Sequence, residues 1–225
     1  MLKIKWIGQS GYILTDGKIE ICIDPYLSDV VNKVAGRPRM VPPPFSPDEL
    51  KSDVVVCTHD HLDHIDTDAI PLMKKENMLF LAPSDCEGKL RELGVLNFES
   101  FDEGKSFKIG DFTLTAVFAD HTVPSVGVLV EYEGGVLYFS GDTYYNEKLE
   151  DIKCDYMFVC INGKLGNMDV ADAMALTEKI NPSLAIPNHY GMFESNTEDP
   201  EKFEVDNRFI MEYNVEYEVK NKCLI

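Results

Sequence analysis

The run Thr58-His59-Asp60-His61-Leu62-Asp63-His64 packs three imidazoles and two carboxylates into seven residues. Its H-x-H-x-D-H spacing would occur by chance on the order of once in 10⁴ chains of this composition. Imidazole nitrogens together with carboxylate oxygens suit a borderline or hard divalent cation such as Zn²⁺, Mn²⁺ or Fe²⁺. A polar loop with coincidental histidines is the alternative, and the spacing argues against it.

Such a cluster needs a rigid element to aim it. The apolar stretch Asp53-Val54-Val55-Val56-Cys57 runs directly into the motif and reads as a buried strand. The chain has five histidines, and the remaining two also follow strand-like segments. His121 comes shortly after Phe112–Phe118, and His189 follows Leu184-Ala185-Ile186-Pro187. Asp142, in Ser140-Gly141-Asp142-Thr143, follows Val136-Leu137-Tyr138-Phe139. One histidine near a strand end is usually structural. With all five placed this way, a shared metal site is expected.

The whole sequence of 225 residues is expected to form a single hydrolase domain, residues 1–225. Its apolar content of 44% is that of a soluble globular protein. Neither an apolar run of transmembrane length nor a signal-peptide core is present, so a cytoplasmic protein without membrane contact is expected. The six cysteines form no C-x-x-C pair, and several fall inside apolar strands as small hydrophobes. A formal net charge of −18 opposes nucleic acid and anionic membranes as partners. It does not exclude a small anionic substrate, because bound divalent cations dominate the field inside their own site. A homo-oligomer is left open.

Strands are expected over residues 2–7, 11–14, 19–23, 54–57, 79–82, 107–109, 112–118, 126–132, 136–140, 156–160, 184–187 and 215–219. Turns at Thr15-Asp16-Gly17 and Glu133-Gly134-Gly135 make hairpins of some of them. A helix capped by Asp169 should carry Val170, Ala173, Met174, Thr177 and Ile180 on one face and stop at Asn181-Pro182. Asp199-Pro200 should start another, running to about Tyr213. Shorter helices are expected near 66–76 and 84–93. The segment Pro25–Pro47, with Pro42-Pro43-Pro44, should be a loop forming one wall of the site. Hairpins with helices between the later strands imply an α+β fold of two facing mixed sheets flanked by helices, an αββα sandwich.

The order His59, His61, Asp63, His64, His121, Asp142, His189 resembles the metallo-β-lactamase superfamily along nearly the whole chain. The resemblance implies that His59, His61 and His121 hold one metal, that Asp63, His64 and His189 hold a second, and that Asp142 bridges them. It also implies that Asp24, in Ile23-Asp24-Pro25, supports a ligand from behind. Two such cations would share a water, lower its pKa to give metal-bound hydroxide near neutral pH, and polarise the oxygen under attack. Asp63 would then be the catalytic proton carrier.

Further stretches are similar to the L-ascorbate-6-phosphate lactonase family. They are Trp6-Ile7-Gly8-Gln9-Ser10-Gly11-Tyr12, Val41-Pro42-Pro43-Pro44, Ile161-Asn162-Gly163-Lys164 with Gly166-Asn167-Met168, and Ile186-Pro187-Asn188-His189-Tyr190-Gly191-Met192-Phe193. In that family the Ile-Asn-Gly segment is usually followed by arginine. Lys164 keeps the charge and loses the bidentate fork. The implied substrate is a small lactone or phosphorylated sugar-acid lactone, with Lys164, Asn162 and Tyr190 as candidate binding residues and Zn or Mn as the two metals. A phosphodiesterase acting on a small phosphate ester or nucleotide is the second hydrolytic reading. A di-iron redox protein is disfavoured, since His61 stands where that branch resembles H-x-E-x-D. A non-catalytic binding module is disfavoured because all seven ligand positions are filled.

Overall fold

Every second residue of Leu2–Gly8 (β1) is buried at its start, as an alternating apolar strand requires, and the strand then runs wholly inward. The structure is a computed structural model, and it describes all residues except Gly134. The expected turn at Glu133-Gly134-Gly135 therefore lies in part outside the described residues.

Two mixed sheets face each other. One contains β1, Gly11–Thr15 (β2), Glu20–Ile23 (β3), Val54–Val56 (β4), Leu79–Ala82 (β5) and Phe98–Ser100 (β6), and its far edge holds Glu216–Lys220 (β13) and Cys223–Leu224 (β14). The other contains Ser106–Ile109 (β7), Phe112–Phe118 (β8), Val126–Tyr132 (β9), Gly135–Phe139 (β10), Tyr156–Cys160 (β11) and Leu184–Asn188 (β12). Their orders are 14-13-1-2-3-4-5-6 and 12-11-10-9-8-7. Neighbours among β3, β4, β5 and β6 are parallel, as are β10, β11 and β12. Open sheets with parallel runs place ligands at the carboxyl ends of those strands. Here the loops leaving β3, β4, β8, β10, β11 and β12 carry every candidate site residue expected from the sequence.

The inner faces of the two sheets share one core, with Tyr12, Phe139 and Phe158 packed ring to ring. The helix Val170–Ile180 (α3) buries Ala173, Leu176 and Ile180 in it. Asp169 caps α3 by accepting from the Asp172 amide, and Asn181 ends it in the left-handed conformation. A second cluster lies outside the first sheet, where Glu87–Glu92 (α2) packs Leu90 beside Phe80 and Val55. Among the described residues, no helix is long and apolar enough to cross a membrane.

Three local expectations need correction. The segment from Asp199 forms only the short turn Pro200–Lys202 and not a helix to Tyr213. The open edge of β12 takes its place as partner: Ala185 N donates to Asn207 O, and Phe209 N donates to Ala185 O. Arg208 then turns its guanidinium onto the carbonyls of Glu201 and Phe203. The segment 66–76 makes two short 3-10 turns, Ile70–Leu72 and Lys75–Asn77, with Pro71 in the first. The proline-rich segment is not irregular throughout, since Val30–Ala35 is a helix (α1) closed by Gly36 at φ 66°.

Candidate metal centre

Five histidines and two aspartates from four different loops meet at one end of the sandwich. Ligand atoms of His59, His61, His121 and Asp142 all lie within 4.8 Å of one another, and so do those of Asp63, His64 and His189. His61 Nδ1 is 3.0 Å from His59 Nε2 and 3.2 Å from His121 Nε2. Asp142 Oδ1 is 3.1 Å from His189 Nε2 and 3.3 Å from His64 Nε2. Ligands on one cation with bonds of about 2.1 Å stand about 3.0–3.4 Å apart, so these spacings match a coordination shell. His64 Nε2 and Asp142 Oδ1 are also buried without a hydrogen-bond partner. Buried polar atoms seldom go unsatisfied, and a cation would satisfy both. The residues present fit a metal.

Two of the rings are aimed from behind. Gly166 O accepts from His121 Nδ1 at 3.0 Å, which leaves Nε2 for the centre. Only glycine suits position 166: its φ is +99°, and a Cβ would lie 2.6 Å from His121 Nδ1. Asp24, fully buried, accepts from Thr58 N and Thr58 Oγ1, each at 2.7 Å, and pairs with His64 Nδ1 at 2.8 Å. Asn167 donates to Asp142 Oδ2 at 2.9 Å. Asp60, the motif's other carboxylate, is turned away and paired with Lys89. Asp24 and His189 both hold positive φ, 44° and 60°. Non-glycine residues in that region concentrate at functional sites.

The Pro25–Pro47 segment is tied to the motif loop through Asp66. This carboxylate accepts from the amides of Leu27, Ser28, Asp68 and Ala69 and from Ser28 Oγ. Tyr26, Val30 and Val31 of the segment pack with Met192 and Phe193, three and four residues beyond His189, and with Leu62 between the ligands.

Proton affinity divides the histidines. Burial pushes His59, His61 and His121 below the ordinary imidazole value, so they are neutral ligands at pH 7. Burial also opposes protonation of His64 and His189, yet Asp142 foremost, with Asp63 on both and Asp24 on His64, outweighs it and raises both. Burial would likewise raise Asp142, but His189 and His64 hold it well below the carboxylate range. Metal must displace protons from its ligands. A raised pKa lets the proton compete up to a higher pH. On acidification the Asp63–His64–His189 group should therefore lose its ion first, and the three-histidine group should follow at lower pH. Zinc titrations at pH 8, 7 and 6 should show the weaker site's Kd rising the more steeply. Parallel weakening of both sites would contradict this division.

Of the candidate substrate residues, Lys164 lines a cavity of about 350 Å³ with Arg37, Leu165, Ser195 and Asn196. Its ammonium donates to Ser195 O at 2.9 Å. Asn162 is buried and braces this region, donating to Asn196 Oδ1 at 3.0 Å. Tyr190 is not brought to the cavity. It is buried with its ring 5.0 Å from that of Trp6. Sequence reasoning missed Thr58, Asn167, Gly166, Arg37 and Gln9 as parts of the site. Gln9 is fully buried and donates to Asp63 Oδ2 at 2.7 Å. The sequence signals were slight: Gln9, Gly166 and Asn167 fall in the stretches shared with the lactonase family, and Arg37 in the proline-rich segment.

The sequence as a whole has recognisable relatives. A family model described as a beta-lactamase superfamily domain matches residues 20–190. A UPF0173 metal-dependent hydrolase of Archaeoglobus fulgidus is 30% identical over 222 residues, covering 90% of this chain and 89% of its own. A UPF0173 protein of Pyrococcus furiosus is 30% identical over 215 residues with the same coverage. Among solved structures, Igni18, a metallo hydrolase of Ignicoccus hospitalis, is similar in fold with a TM-score of 0.79 at 22% identity, across 97% of this chain and 99% of that one.

Proposed function

The chain belongs to the beta-lactamase superfamily, and we propose that it is a metal-dependent hydrolase that opens a small lactone bearing an anionic substituent, such as a phosphorylated sugar-acid lactone. The observation that carries this reading is one juxtaposition. Two ligand groups meet at Asp142, and the loop that holds His121 through Gly166 O also carries Lys164, which lines a cavity with Arg37 and with no carboxylate. In a chain of net charge −18, such a pairing of cations supports an anion seat.

His59, His61 and His121 would hold the first ion, Asp63, His64 and His189 the second, and Asp142 both, with Zn or Mn as the metal. When bound, such ions lower the pKa of a shared water and polarise the oxygen of the bond being cut. The chain's own residues do the rest. Asp63, whose side chain is 17% exposed while those of His64 and His189 are buried, is the member of its group that solvent reaches and would carry the proton. Lys164 lies two residues from Gly166, whose carbonyl fixes His121, so its Cα is within about 7 Å of the Gly166 Cα. A substrate anchored by its anion at Lys164 and Arg37 would thus place its ester near the ligands. Arg37 would supply the planar fork that lysine lacks.

A hydrolysis screen of lactones and phosphodiesters on metal-reconstituted protein tests the reaction. Ring opening of a phosphorylated lactone supports the proposal, and turnover confined to phosphodiesters would replace it. Lys164→Ala should raise KM for the phosphorylated lactone by roughly tenfold, about 1.5 kcal/mol for one charge-assisted hydrogen bond, and change its unphosphorylated analogue little. Equal effects on both substrates would make Lys164 a loop residue only.

A further inference from the structure

We propose that Gln9 is itself a ligand of the second metal, through Oε1, an assignment that rests on the two-metal reading above. Gln9 occupies the tight turn between β1 and β2 with φ 51°, a conformation glycine would adopt without strain. The turn is fixed on both sides. Trp6 Nε1 donates to Gln9 O at 2.9 Å, and a Cβ on Gly8 would meet Met192 Cε at 2.7 Å. The side chain is thereby directed inward, fully buried, at the Asp63–His64–His189 group.

Its amide terminus completes the spacing of a shell. Gln9 Nε2 is 2.7 Å from Asp63 Oδ2 and 3.1 Å from His189 Nε2. Asp63 Oδ2 is 3.6 Å from His189 Nε2 and 3.9 Å from His64 Nε2. With Asp142 Oδ1, these are five atoms gathered about one point, at separations that bracket the roughly 3.0–3.4 Å of ligands on one ion. Three buried atoms of these same side chains, His64 Nε2, Asp142 Oδ1 and Gln9 Oε1, are without hydrogen-bond partners. A single cation would satisfy His64 Nε2 and Asp142 Oδ1 where they stand, and Gln9 Oε1 once the amide turns over.

The orientation of the amide follows the charge it faces. Toward a bare carboxylate it presents N–H. Toward a cation it presents the carbonyl, and a half-turn of the terminal torsion exchanges the two with almost no movement of heavy atoms. With the ion bound, Oε1 takes the place that Nε2 has beside Asp63 and His189. Asp63 then meets the cation and not the amide hydrogen.

A purely positioning role, in which Gln9 N–H holds Asp63, gives the opposite result for one substitution. Metal-free wild type, Gln9→Gly and Gln9→Glu should be titrated with Zn²⁺ against a chromophoric chelator, with circular dichroism to verify the fold. Glycine suits the backbone at this position, so Gln9→Gly removes the amide without adding strain. Wild type should bind two ions. Gln9→Gly should keep the first affinity and weaken the second at least about tenfold. Gln9→Glu should bind the second ion as tightly as wild type or more so, because an anionic oxygen replaces a neutral one. Weakening by Gln9→Glu equal to that of Gln9→Gly would overturn the assignment in favour of a donor to Asp63, since glutamate has no proton to give at neutral pH. Two ions bound with both variants unchanged would overturn the assignment alone. Uptake of a single ion by wild type would overturn it together with the two-metal reading.

Discussion

Asp63→Asn should lower kcat by roughly 10²–10⁴-fold, the range that general acid–base help commonly spans, while the fold is retained. Asp63 is the partly exposed carboxylate of the second ligand group, and within the protein its side chain is held mainly by Gln9. Asparagine preserves size and can still meet the Gln9 amide through its own oxygen. It removes the negative charge that would bind a cation and the oxygen that would take a proton. Unchanged circular dichroism together with the loss in kcat is the expected pair of measurements. A variant with near wild-type kcat and full metal content would show that Asp63 has neither role.

The largest structural effect should come from Asp24→Ala. The carboxylate is 0% exposed and serves three groups at once: the Thr58 amide, the Thr58 hydroxyl and His64 Nδ1. Truncation leaves the amide and the imidazole N–H buried without acceptors, at about 1–3 kcal/mol each. The sum, about 2–6 kcal/mol, corresponds to a fall in Tm of roughly 10 °C for a chain of this length. Freeing His64 should also weaken the second ion by about 10–100-fold. Asp24→Asn, which keeps an acceptor for Thr58, should recover part of the stability and less of the metal affinity. A melting curve for Asp24→Ala that overlays wild type would contradict this role.

The site was legible in the sequence to the extent that its chemistry is concentrated in rare residue types. All five histidines and two aspartates are singled out by H-x-H-x-D-H and by their places after apolar strands, and the structure brings all seven together. The strands were legible for the same reason of pattern. Phe112–Phe118, Val126–Tyr132 and Tyr156–Cys160 form over the residues expected, because seven or five apolar-rich residues leave little choice of bounds. Phe98–Ser100 and Cys223–Leu224 escaped notice because three and two residues carry no period. The helix expected from Asp199 failed for a non-local reason. Its cap and its N1 proline do start a turn, but the unpaired edge of β12 claims residues 207–209. Gln9, Thr58 and Asn167 are common polar residues whose meaning lies in what the fold places beside them. The cavity lined by Arg37 and Lys164 joins residues 127 positions apart and shows no spacing to read.

The most direct measurement is elemental analysis of metal bound to wild type, His59→Ala and His189→Ala after reconstitution with Zn²⁺ or Mn²⁺ and removal of excess ion. A binuclear centre built on two ligand groups predicts two ions per chain in wild type. His189→Ala should retain the ion of the His59–His61–His121 group and lose the other, and His59→Ala should lose the tighter one. Equal metal content in all three proteins would contradict the binuclear centre.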